Sequence, residues 1–342
     1  MISIPRNAVL ELTYKCNHAC KFCSCPWYAP NSRYNKGNEL TVIEWKTVID
    51  KLLSLGVKHF SISGGECLMK DCLPDILEHI HKRNGEYKLP HKIVLISNGL
   101  AMSDTFLRLF KKTGVQLSMS LPGYETFEYH TGVDNREGVL HWFRKASELD
   151  IATTLNVTVT KKNIHELYET IAEGIINGAS SVLLNRFLPG GRGLTNEEEL
   201  LLSSSQLNEM LDIAEEVLST CNRKGFVGTE FPKCIIKNPD KYQHISIGTY
   251  CAAAKDFFVI GPSGEIRVCN HSPRIVGNML SEPFITDTDY WNTFANSKYR
   301  PQVCTPCLYL PICDCGCREV ASIKTGRLNG VEPSLKDSLL FK

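Results

Sequence analysis

The 342-residue sequence has no unbroken run of about eighteen apolar residues, the length a membrane-crossing helix needs. Its opening residues, Met1-Ile2-Ser3-Ile4-Pro5-Arg6, lack the apolar core of a secretion signal. The formal net charge is only +1 and no block of Lys and Arg stands out, so neither a nucleic acid nor a membrane surface is an expected partner. Low-complexity segments are missing too. These absences point to a globular protein of the cytoplasm. Cysteine, by contrast, is abundant, with fifteen in the chain. Cytosolic thiols are kept reduced, so fifteen of them are not a disulfide framework. They also cluster, three at 16–23 and five at 304–317, and short spacing favours metal.

The first cluster is Cys16-Asn17-His18-Ala19-Cys20-Lys21-Phe22-Cys23, directly after the alternating run Ala8–Tyr14, which reads as a strand. Three thiolates on one loop can hold three irons of a cubane, because soft sulfur suits iron–sulfur clusters and each iron takes one ligand. The fourth iron stays open, and an open metal position is where chemistry happens. Zinc loops have similar spacing, so a zinc-binding interaction protein is the alternative of a different class.

From there the chain alternates. Thr41 with Glu44 forms a capping-box signature opening a helix over 42–55. Strands are expected at 59–63, 92–97, 115–121, 153–160 and 181–187, with helices at 71–82, 103–113, 137–149 and 164–177 between them. Six βα repeats make an α/β protein with a parallel, curved sheet. The loops after its strands share one face, where barrels of this kind place their active sites. Those loops are the cysteine loop, Gly64-Gly65-Glu66, Ser97-Asn98-Gly99, Leu121-Pro122-Gly123 and Pro189–Gly193. A bridging helix at 205–223 follows. Beyond Gly225 the period fades into turns and one hairpin, 257–260 with 264–268. The division therefore falls between 1–224 and 225–342.

The cysteine loop, with three and then two residues between thiols, resembles the signature of radical S-adenosylmethionine (SAM) enzymes. That resemblance implies a partial (β/α)6 TIM-type barrel and a [4Fe-4S] cluster on Cys16, Cys20 and Cys23. The open iron of this cluster chelates SAM, which is cleaved to a 5′-deoxyadenosyl radical. It also implies SAM contacts from Gly64, Gly65 and Glu66, from Ser97, Asn98, Ser118 and Ser120, and from Arg186, whose guanidinium can fork onto a carboxylate. Each has a plainer reading: a glycine turn with an exposed Glu66, ordinary turn chemistry at the serines and Asn98, and a surface connector over Gly190–Gly193.

The second cluster, with Cys251 and Cys269 ahead of it, closely resembles the SPASM extension, an auxiliary-cluster module. Carried over residue by residue, Cys251, Cys269 and Cys317 serve one auxiliary [4Fe-4S] cluster, and Cys304, Cys307 and Cys313 serve another. The family's terminal cysteine and a thiol shortly after Cys251 are missing, so each set is one ligand short. Cys315, Asp314 and Cys234 are the residues available to complete a set, and an iron left open for substrate is the other solution. Cys25, Cys67, Cys72 and Cys221 receive no role. His271, two residues after Cys269, stands near the place of a proton-accepting aspartate in sulfatase-maturing relatives and is the expected general base.

Together the resemblance implies hydrogen abstraction from a ribosomally made peptide and an oxidative crosslink, either thioether or carbon–carbon. Peptide epimerisation, and oxidation of a tetrapyrrole or sugar, are the alternatives within the class. The first strand starts by about residue 8, so a separate peptide-recognition protein or direct recognition of a short leader is expected. A flavodoxin- or ferredoxin-type donor would supply electrons.

Overall fold

The alternation read from the sequence becomes nine parallel strands of one open sheet. The computed structural model of the chain describes residues 2–87 and 92–335. The first half runs β1 (Asn7–Glu11), α1 (Val42–Ser54), β2 (His59–Ser63), α2 (Leu73–Tyr87), β3 (Lys92–Ser97), α3 (Asp104–Thr113) and β4 (Val115–Ser120). It continues through α4 (Phe127–Thr131), α5 (Arg136–Glu148), β5 (Thr153–Val159), α6 (Leu167–Ile176) and β6 (Ser181–Arg186). After α7 (Glu197–Leu200) and α8 (Ser204–Thr220) come the short strands β7 (Gly225–Val227) and β8 (Ile245–Ile247). The rest comprises β9 (Phe257–Ile260), β10 (Glu265–Arg267), β11 (Gly277–Asn278), α9 (Thr288–Ala295) and α10 (Arg318–Thr325).

The sheet order is β11-β10-β9-β1-β2-β3-β4-β5-β6-β7-β8, with β10 and β11 antiparallel and the rest parallel. The expected hairpin is therefore present, but it does not stand apart. Its first strand pairs in parallel with β1, Asn7 opposite Phe257 and Leu10 opposite Ile260. At the other edge β7 and β8 continue beyond β6, where the sequence suggests only turns. Residues on both sides of 224 thus share one sheet.

The capping box at α1 forms as the sequence predicts: Glu44 N donates to Thr41 Oγ1, and Thr41 N donates to Glu44 Oε2 at 2.8 Å. On one face of the strands Phe60, Ile62, Ile93, Leu95, Leu117, Leu155, Val157, Val182 and Leu184 are buried in the core with Trp45, Leu77, Phe110 and Phe143 of the helices. Alternate positions, Ser61 and Ser63 on β2, Asn156 and Thr158 on β5 and Asn185 on β6, are more accessible and polar. Successive side chains on a strand point to opposite faces, so the sheet has a dry helix-covered side and a polar inner side. Asn185 Nδ2 donates to Asn156 Oδ1 across that inner side at 2.9 Å.

Candidate active site

β1 delivers the cysteine loop to the C-terminal edge of the sheet. The loop is moored to α4, with Ala19 N donating to Thr131 O and Lys21 N to His130 O, at 2.9 and 2.8 Å. Cys16, Cys20 and Cys23 are half-buried free thiols. Burial pushes Cys16 and Cys20 up, and each feels the charge of its neighbours. Cys23 is drawn down to about 7, chiefly by a hydrogen bond from the Cys25 thiol and also by the nearby Arg192 guanidinium. Among the described residues no three His, Cys, Asp or Glu side chains converge on a single metal ion. A cubane instead gives each thiolate its own iron.

Gly64-Gly65-Glu66 lies against this loop. Gly65 N donates to Thr13 O and Glu66 N to Lys15 O, both at 2.8 Å. A Cβ on Gly65 would stand 2.0 Å from Lys15 O. The two glycines therefore admit the backbone of the incoming cysteine loop. Nor is Glu66 an exposed turn residue. It is 2% accessible, and its carboxylate accepts from Leu68 N, Ser97 Oγ and Asn98 N at 3.1, 2.9 and 2.8 Å. Asn98 in turn donates through Nδ2 to Asn17 Oδ1 at 2.7 Å and lies 3.9 Å from Cys16 Sγ. Glu66, Ser97 and Asn98 thus form one network that ends on the first cysteine.

One expected position and one further loop residue keep unpaired polar atoms. Ser118 on β4 is buried and its Oγ has no partner, and His18 Nε2 inside the cysteine loop is likewise unpaired. Buried polar atoms are normally satisfied, so these two fit a polar ligand supplied from outside the chain. Ser120 is partly accessible on the same strand face. The donor set is chemically right for the cluster as well, being three reduced thiols with no competing hard ligand.

Arg186 departs from expectation. It is 2% accessible, and its fork is filled by Glu332, with Nη1 to Oε1 at 2.6 Å and Nη2 to Oε2 at 2.9 Å. A guanidinium so engaged does not reach an external carboxylate. The arginine that does face the cysteine loop is Arg192: its Nη1 donates to Cys20 O at 3.2 Å and its head lies over the Tyr28 ring. Pro189–Gly193 is likewise no surface connector. Gly191 has φ +50, and a Cβ there would stand 2.5 Å from both Cys23 O and Cys25 O. Gly193 N donates to Cys23 O at 3.1 Å.

His271 packs on the other side of the same loop, where a Cβ on Gly190 would meet its ring. Its Nε2 donates to Pro189 O at 2.8 Å, leaving Nδ1 as the acceptor of a neutral imidazole; burial lowers its pKa. The ring borders an open cleft of about 400 Å³, walled by Pro26, residues 29–35, Gly191, Leu194 and Ile323. The loop 24–40 is tied to the hairpin by Tyr34 OH, which donates to Glu265 Oε1 at 2.8 Å, and Tyr14 OH donates to the same oxygen at 2.9 Å. Arg267 of β10 is ion-paired to Glu11 of β1 beneath it.

In the far region burial raises Cys269 and Cys317, helped at Cys269 by Glu319 and then Cys251 and at Cys317 by Glu230, Cys269 and Cys251, and the Glu230 carboxyl lies against Cys317. Cys304, Cys307, Cys313, Cys315 and Cys234 line a separate cavity. The missing-ligand candidate Asp314 is fully buried and spoken for, accepting from Arg300, Lys255, Tyr299 and Cys251 N.

The family model for the radical SAM superfamily matches residues 10–173, the stretch that carries the cysteine loop and five of the six βα strands. These residues form a radical SAM domain. Over 97% of its length it is 25% identical to the "PqqA peptide cyclase" of Bradyrhizobium diazoefficiens, covering 86% of that protein. It is 27% identical to the "AdoMet-dependent heme synthase" of Methanosarcina barkeri over 97% of both chains. Among solved structures, Streptococcus suis SuiB bound to its precursor peptide SuiA superposes with a TM-score of 0.73 at 16% identity, over 98% of this chain and 76% of that one. At that identity the likeness is one of fold. A radical SAM domain works with a [4Fe-4S] cluster and SAM. Arg192, Glu332 and Glu230 went unmarked in the sequence because nothing local distinguishes a lone charged residue that acts through a distant contact. The signal available for Arg192 was its place in the same glycine-rich loop.

Proposed function

We propose that this radical SAM protein abstracts hydrogen from a ribosomally made peptide and installs an oxidative crosslink. The carrying observation is the cleft beside the cysteine loop. It is wide, solvent-open and bordered by the Gly190–Gly193 loop and His271, which suits an extended chain better than an enclosed metabolite. Similarity to a peptide cyclase along nearly the whole chain supports the same reading.

When bound, the cluster and SAM supply the 5′-deoxyadenosyl radical, and auxiliary clusters supply an electron acceptor. Cys16, Cys20 and Cys23 hold the first cluster, while Glu66, Ser97 and Asn98 fix the loop around it. Ser118 and Ser120 offer hydroxyls to SAM. Residues 1–224 serve as the barrel and 225–342 as the auxiliary-cluster region, with Cys251, Cys269 and Cys317 on one centre and Cys304, Cys307 and Cys313 on the other. A crosslink removes two hydrogens from the peptide. One leaves as a hydrogen atom, the other as a proton together with an electron. His271, through Nδ1, is the proton acceptor. A flavodoxin- or ferredoxin-type donor and a separate peptide-recognition protein complete the system. The cytoplasm is its compartment, a reading supported by fifteen unpaired thiols.

The test is co-expression with short peptides encoded beside the gene, read by intact and fragment mass spectrometry. A loss of two hydrogens that vanishes in the Cys16/Cys20/Cys23→Ala variant is expected. Unchanged mass with deuterium uptake at an α-carbon would replace crosslinking by epimerisation. The likeness to a heme synthase favours one second reading, oxidation of a tetrapyrrole; no change in any peptide, with turnover of a tetrapyrrole, would establish it.

A further inference from the structure

Five thiols surround one cavity where a four-iron cluster needs four. After β7 the chain makes a short turn, Lys233–Ile235, that brings Cys234 under the loop carrying Cys304, Cys307 and Cys313. The cavity is lined by these four cysteines and Cys315, with Pro232, Tyr309, Leu310 and Leu335. The turn is pinned in place, because Lys233 N donates to Cys313 Sγ at 3.4 Å. Cys234 also lies within electrostatic reach of Cys313, Cys307 and Cys304, in that order of strength.

Cys315 is held differently. Its backbone is left-handed, φ +64, and its N donates to Cys313 Sγ at 3.2 Å. Its thiol lies against those of Cys304 and Cys313. A thiol wedged between two ligand sulfurs is placed as an outer hydrogen-bond donor, the position from which cluster potentials are tuned. Asp314 is closed off by its own ion pairs with Lys255 and Arg300.

We propose that Cys234 is the fourth ligand of the second auxiliary [4Fe-4S] cluster, with Cys304, Cys307 and Cys313, and that Cys315 hydrogen-bonds to the cluster sulfurs without ligating iron. This rests on the auxiliary-cluster reading above. It makes that centre a closed one with no iron left for substrate. It also places the fourth ligand upstream of every other auxiliary cysteine, so the cluster ties the exit of β7 to the cysteine-rich loop.

The experiment uses the full chain carrying Cys16/Cys20/Cys23→Ala, so that only auxiliary iron is counted, reconstituted anaerobically with iron and sulfide. Iron content and the EPR spectrum of the reduced protein are measured before and after adding Cys234→Ala, Cys234→Ser, Cys315→Ala or Cys307→Ala. Far-UV circular dichroism verifies that each variant is folded. Cys234→Ala is expected to lose one cluster's iron, or to leave a three-iron centre with its own EPR signal. Cys234→Ser, which keeps a ligating oxygen, is expected to retain iron with shifted g-values. Cys315→Ala is expected to keep the full iron content and to shift the midpoint potential. The assignment is overturned if Cys234→Ala matches its parent in iron and spectrum, or if Cys315→Ala alone loses the cluster. Should Cys307→Ala lose no iron either, the auxiliary-cluster reading itself fails, and the assignment with it.

Discussion

Arg186 and Glu332 form a buried bidentate ion pair, 2.6 and 2.9 Å, between the end of β6 and the chain's last described turn. Glu332 Oε2 also accepts from Cys317 N at 3.0 Å, so one carboxylate joins the end of β6 to the start of α10. Both partners are 2% accessible, and an ion pair cut on one side in such a place leaves an uncompensated charge. Arg186→Ala is expected to cost about 3–5 kcal/mol in chemical denaturation. SAM affinity in the fraction that stays folded should be unaffected. A selective loss of SAM binding with unchanged stability would return Arg186 to the role of a ligand contact.

Replacing Cys16, Cys20 and Cys23 by Ala should abolish formation of 5′-deoxyadenosine from SAM under reducing anaerobic conditions. The three thiols are the expected donor set on the loop after β1, and Cys25, whose thiol contacts Cys23, is the other soft sulfur before α1. Iron content should fall by one cluster while auxiliary iron stays. Retained cleavage would mean that SAM binds elsewhere.

Gly191→Ala tests whether the Pro189–Gly193 loop shapes the first cluster site. Alanine at φ +50 is strained by itself, and its Cβ would be driven into the carbonyls of Cys23 and Cys25. A cost of about 1–3 kcal/mol is expected, with lower iron retention in the cysteine loop after gel filtration. Gly114→Ala, also at positive φ but with open space around it, should cost stability without touching iron. Equal iron loss in both would show that the effect is not local.

Glu39 gives a pH dependence whose sign follows from its surroundings. Burial raises its pKa, but hydrogen bonds from Thr13 and Lys70, and from Tyr14 N, outweigh that and hold it below the ordinary 4.5. A carboxylate whose folded pKa is depressed adds stability above its unfolded value and loses it as pH falls through the folded one. Glu39→Gln should therefore be less stable than the parent at pH 7, with the gap closing below about pH 4. A constant gap across that range would remove the charge of Glu39 from the account.

Much of this was legible in the residues. The 3.6- and 2-residue periods placed the six principal strands and their helices, the capping box at Thr41 marked a helix start that forms as written, and cysteine spacing separated the two thiol groups. Such features are local, since each depends on side chains a few positions apart. What depends on distant contacts was decided only by the fold. Three-residue strands such as β7 carry too few residues for a period, so the widening of the sheet was invisible. The strand β9 was visible, but its pairing with β1 was not, because a parallel neighbour is chosen by the whole sheet. Arg186 read as a ligand residue until Glu332, nearly 150 positions away, was seen in its fork. Gly64 and Gly65 read as making room for a ligand; that they admit the backbone of the cysteine loop was decided by the fold. Composition and spacing determined which chemistry the chain is equipped for; long-range packing decided which of the charged and sulfur-bearing residues are free to take part in it.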